Sequence, residues 1–123
     1  MLNNGGQSRG AAREKFFHSH RWKRIRERVH AMYYGIDAVA WVTEGKIVAG
    51  TTVHHIVPYA DNERKRADEN NLILVSDNTH RIIHNLYSMN DDEKRRTIDE
   101  LFEIRRRFLA DVDVIEEIRR GYV

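Results

Sequence analysis

Val53-His54-His55-Ile56-Val57-Pro58, Asn71-Leu72-Ile73-Leu74-Val75 and Thr79-His80-Arg81-Ile82-Ile83-His84 stand one after another in the middle of the chain, and their order decides how it folds. The first is a short apolar run, rich in β-branched residues and closed by the only proline, and it reads as a strand over Val53 to Val57. The polar stretch Asp61 to Asn70 reads as a loop, and Leu72-Ile73-Leu74-Val75 as a second short strand. Ser76 or Asp77 then offers a side-chain oxygen to cap a helix running to about Tyr87. Strand, loop, strand and helix, over about residues 51–87, predict an α+β fold.

Upstream, Ser19 precedes Trp22, Ile25, Val29 and then Met32 or Tyr33 at three- and four-residue spacing, with Gly35 as a stop. This pattern predicts an amphipathic helix with Arg and Lys on its outer face. Ala38 to Val42 and Lys46 to Ala49 flank Thr43-Glu44-Gly45, which predicts an apolar β-hairpin. Residues 1–11, rich in Gly, Asn and Ser and without a structural period, read as a flexible tail, leaving residues 12–123 as a single domain. A helical region over about residues 90–120 starts at Asn90 or Asp91, where Glu93 completes a capping box. Its stripe of Ile98, Leu101, Phe102, Phe108, Leu109, Val112, Ile115 and Ile118 suits one long helix or two helices broken near Asp111.

A chain of 123 residues, 41% of them hydrophobic, can bury one modest core but not two. The net charge of +2 hides an uneven distribution, because Arg9, Arg13, Lys15, Arg21, Lys23, Arg24, Arg26 and Arg28 are offset between residues 9 and 28 only by Glu14 and Glu27. A polyanion responds to such local clustering, so a nucleic-acid face is expected near the N-terminus. With no cysteine there is no disulfide and no Cys-ligated zinc, and any metal must be held by His, carboxylate or amide groups. The apolar runs are only a few residues long, so a cytoplasmic location without a membrane partner is expected.

His80 and His84, four apart, would share one face of a helix and offer two metal ligands from one turn. That pair alone is a weak signal, since about 0.4 such pairs arise by chance from seven histidines in a chain of this length. His54 and His55 would normally point to opposite faces of a strand. If the strand ends or twists there, one imidazole can coordinate an ion while the other stays metal-free, hydrogen-bonded through its second nitrogen and ready to accept a proton; otherwise one is a core and one a surface histidine. A divalent ion beside an uncoordinated base is what phosphodiester hydrolysis requires.

As a set, the three motifs resemble the HNH nucleases, the ββα-metal or His-Me finger group, with His55 to Asn71 spaced by 16, Asn71 to His80 by nine and His80 to His84 by four. The combination is similar to the histidine-rich sites of phage endonucleases and colicin-type DNases. Phe16-Phe17-His18-Ser19-His20-Arg21-Trp22-Lys23-Arg24-Ile25-Arg26 likewise resembles the aromatic and basic helix that leads into many phage members, so the likeness covers about residues 16–87. The resemblance implies a metal-dependent DNA endonuclease in which His54, His80 and His84 hold one divalent ion, His55 is the general base and Asn71 orients the loop and the base. It implies products with 5′-phosphate and 3′-hydroxyl ends, a phage or prophage setting in a bacterial host, and packaging proteins as partners. A catalytically silent, metal-stabilised DNA-binding module is the alternative, and retention of His55 argues against it; a structural zinc domain would leave the basic helix without a purpose.

Three imidazoles favour Zn²⁺, Ni²⁺ or Mn²⁺ over Mg²⁺ in affinity, although Mg²⁺ can still be the working ion. Many relatives carry two Cys-x-x-Cys pairs around a structural zinc, and here Ser76 and Thr79 take the places of the second pair. A second metal is therefore not expected, and apolar packing by Val39, Trp41, Val42, Ile47 and Val48 must replace the clamp. For the phosphate backbone of DNA the candidates are Arg21, Lys23, Arg24, Arg26, Arg28 and Arg81, a solvated helix face being the bland alternative for the first five. Arg64-Lys65-Arg66 lies in the motif loop, and His18, His20 and His30 receive no chemistry.

Overall fold

Thr52–His55 (β1) and Leu72–Val75 (β2) pair antiparallel in the computed structural model, with Thr52 opposite Val75 and His55 opposite Leu72. The structure describes residues 4–111, 116 and 119–121, with side chains from Gly10 onward. In chain order the elements are α1 (Asn4–Phe17), α2 (His20–Met32), α3 (Ala38–Glu44), β1, β2, α4 (Asp77–Met89) and α5 (Asp91–Ala110), an α+β arrangement. β2 is buried at all four positions because helices pack around the two-stranded sheet, so its run of four apolar residues shows no alternation.

The central prediction holds, and its edges move. β1 stops at His55 rather than Val57, and the expected loop of residues 61–70 contains two 3₁₀ turns, Glu63–Lys65 and Glu69–Asn71. Ser76 caps α4 by accepting from the Thr79 N–H at 3.2 Å, and Asn90 caps α5 by accepting from the Glu93 N–H at 2.8 Å. Ser19 caps α2 in the same way, and Trp22, Ile25 and Val29 are buried along its inner face.

Four expectations fail. The segment Ala38–Glu44 is a helix, not the first arm of a hairpin; only an isolated bridge joins Ile36 to Ala49. Asp37 caps it through the Ala40 N–H at 2.9 Å, and Gly45, at φ +64°, closes it in the left-handed conformation. The β-branched residues that suggested strands, Val39 and Val42, instead pack with Trp41 and Ile47 against the core, while Val48 is exposed. Residues 4–11, expected as a tail, form the first turns of α1; before Phe16 that helix has no apolar stripe for a periodicity to register. In α5, Leu101 and Phe108 are buried as expected, but Leu109 is exposed. The helix ends at Ala110 with Asp111 as its cap, and Val112, Ile115 and Ile118 lie outside the described residues.

Asp37 also joins two helix starts. Its carboxylate is fully buried, and Oδ2 accepts from both the N–H (2.9 Å) and the hydroxyl (2.8 Å) of Ser76. The Ser76 hydroxyl lies 3.2 Å from that of Thr79, so a polar cluster fixes the start of α4 to the start of α3. Among the described residues no helix is long and apolar enough to cross a membrane.

Candidate metal centre and catalytic cleft

β1 delivers His54 to the buried side of the sheet, where α4 crosses it and presents His80 and His84 one turn apart. One ring nitrogen from each of the three lies within 4.8 Å of the others, and the Nε2 atoms of His80 and His84 are 2.9 Å apart. Two nitrogens bound to one tetrahedral Zn²⁺ at about 2.05 Å would sit about 3.3 Å apart, so the pair is close to ligating geometry. The three residues fit a divalent ion in donor type as well, with soft imidazoles and no thiolate. His54 is buried, His80 half-buried and His84 exposed, so the triad closes the centre from beneath and leaves it open on the cleft side.

Burial, then the facing rings of His80, His84 and His55, push His54 down to about 3. His80 is lowered by burial and by His84, against an opposing pull from Asp77. Both rings are therefore neutral near pH 7, the form a ligand needs.

His55 takes a different position. Its Nε2–H donates to the Arg66 carbonyl at 2.9 Å, which leaves Nδ1 as the lone pair. The ring stacks on Trp22, with centroids 5.2 Å apart and planes at 20°, and meets Phe17 edge-on. Burial lowers His55 from the ordinary histidine range and outweighs the opposing Arg66 hydrogen bond, with Arg13 adding to the lowering.

Asn71 is buried behind the cleft. Its Oδ1 accepts from the Val57 N–H at 2.8 Å, and its Nδ2 donates to the Val57 carbonyl at 3.0 Å and to the Lys65 carbonyl at 3.4 Å. One amide thus ties the chain just after β1 to the residue before Arg66, whose carbonyl holds His55. The same loop is moored from outside by an Arg28–Glu69 ion pair, by Lys94 to Asp61 at 2.7 Å and by Arg105 to Asn70 at 3.2 Å.

His54, His55, His80 and His84 open together into a cleft of about 420 Å³ walled by Phe17, Trp22, Tyr59 and Tyr87. No family model, curated protein or solved structure matches the chain. Of the expected DNA contacts only Arg26 lines this cleft. Lys23 lies along an adjoining groove that shares Arg26, Thr51 and Val53; Arg21 lines another beside Arg66; Arg28 is paired with Glu69; and Arg81 donates to Asn78. The Arg66 guanidinium lies over the Phe16 ring, 5.4 Å from its centroid.

Sequence reasoning missed two cleft residues. Arg13 reaches the cleft from α1, across the rings of Tyr59 and Phe17 at 5.4 and 5.8 Å; with residues 1–11 read as tail, no helix was there to place it. Tyr87 is three residues after His84 and seven after His80, the spacing that shares their helix face, and that signal was available.

Proposed function

We propose that the protein is a metal-dependent DNA endonuclease of the HNH, ββα-metal type. The observation that carries this reading is the division of labour between adjacent histidines. His54 joins His80 and His84, while His55 is held away from them by the Arg66 carbonyl, and both open on one cleft. A site built only to bind a structural metal has no use for the second ring.

His54, His80 and His84 would hold a divalent ion, which would supply positive charge to the reacting phosphodiester. His55 Nδ1 accepts the proton of the attacking water, and its neutral form predominates at pH 7 because burial disfavours the cation. The Arg66 carbonyl fixes the tautomer and aim of that ring, and Asn71 holds the loop that carries the carbonyl. Arg13 and Arg26 bind the phosphate backbone where it crosses the cleft.

Metal-stripped protein should leave supercoiled plasmid intact and should nick or linearise it once Mg²⁺, Mn²⁺, Ni²⁺ or Zn²⁺ is restored. If no ion restores cleavage, the nuclease reading falls, and a metal-stabilised DNA-binding module takes its place. Arg13→Ala and Arg26→Ala should each lower cleavage by about 10-fold or more, the cost of a lost charge-assisted hydrogen bond. Arg24→Ala, outside the cleft, should change it little. Equal losses in all three, measured at one salt concentration, would mean that the strand does not run through this cleft.

A further inference from the structure

Tyr87, in the wall of the cleft, touches both the buried histidine and the backbone. Tyr87 Oη lies 2.6 Å from the Ile56 carbonyl and 3.2 Å from His54 Nε2. A phenol has one proton, and a carbonyl can only accept, so the Tyr87 proton is committed to Ile56. Towards His54 the oxygen is then an acceptor, and the short approach is satisfied only if Nε2 carries hydrogen.

We infer that Tyr87 is a positioning residue that locks His54 in the Nε2–H tautomer, so that Nδ1 is the one lone pair His54 can give to a metal ion. This inference rests on reading His54, His80 and His84 as ligands. It makes the centre chemically asymmetric. His80 and His84 approach each other through Nε2, whereas His54 enters through Nδ1 with its far nitrogen anchored to the backbone through a phenol. Such an anchor also raises the basicity of the ligating nitrogen and holds the ring plane fixed. The same oxygen bonds to the residue that follows the His54-His55 pair, so it ties the end of β1 to α4 at the site itself.

The test uses two readouts on the full chain. Two-bond ¹⁵N–¹H correlation spectra of the imidazoles in metal-free wild type should show His54 in the Nε2–H form, and Zn²⁺ titration should move its Nδ1 resonance. In Tyr87→Phe, which keeps the ring and its packing, the tautomer preference should relax and Zn²⁺ affinity should fall by about 10- to 100-fold. Finding His54 in the Nδ1–H form, or coordinated through Nε2, would overturn the assignment. Unchanged Zn²⁺ affinity in a folded Tyr87→Phe would overturn the positioning role. Failure of wild type to bind Zn²⁺ at all would instead overturn the ligand reading, and the metal-free spectra tell the two failures apart.

Discussion

His55→Gln is expected to fold, to bind Zn²⁺ as wild type does, and to lose at least about 100-fold in cleavage rate. Glutamine keeps an N–H that can reach the Arg66 carbonyl and has no basic nitrogen, so the variant isolates the proton-transfer role from the hydrogen bond that holds the ring. His55→Ala should lose as much, with an added stability cost because the ring packs between Trp22 and Phe17. The pH profile carries the same information. Burial depresses His55, so the base is free at neutral pH, and the rate should fall only as pH drops through a midpoint below about 6.5. Acid can also strip an ion from histidine ligands, but that limb moves when the metal concentration is raised, whereas the base limb does not. A folded, Zn²⁺-binding His55→Gln that cleaves at the wild-type rate would remove His55 from the chemistry, and with it the distinction drawn between the two histidines.

The grouping of His54 with His80 and His84, apart from His55, was legible in the sequence because it depends on short-range geometry. His80 and His84 needed only a helix, and Ser76 announced one; the Asn71 position before Leu72 needed only a turn into a strand. A strand break after His55 was the condition for adjacent histidines to face one site, and β1 does end there. What could not be read depended on the path of the chain. Ala38 to Val42 is β-prone by composition, yet Asp37 and Gly45 bracket it as caps, and two caps at helix spacing outweigh weak strand propensities. α1 carries Arg13 into the cleft without an apolar periodicity of its own, so its placement follows from Phe16 and Phe17 docking near Tyr59 and Trp22, a tertiary contact. The basic stretch was visible as charge. Which of its cations face the cleft depends on how α2 rotates to bury Trp22, Ile25 and Val29.

The other large effect concerns the buried carboxylate. Asp37→Ala should lower unfolding free energy by about 3–5 kcal/mol, because it strands the Ala40 N–H, the Ser76 N–H and the Ser76 hydroxyl around a fully buried site. For a small domain with a total of about 5–15 kcal/mol, that is a large share. Asp37→Asn must turn its amide nitrogen towards one of these donors, so it should fall between wild type and Asp37→Ala. Urea unfolding of the three proteins measures the series, and a loss under about 1 kcal/mol for Asp37→Ala would show that the cluster contributes little. The consequence for the metal centre follows from position. Ser76 begins the helix that carries His80 and His84, so loosening its start displaces two of three proposed ligands while leaving His54 on the sheet. Asp37→Ala should therefore weaken Zn²⁺ binding at temperatures where the protein is still folded, because one buried aspartate holds the starts of two helices together.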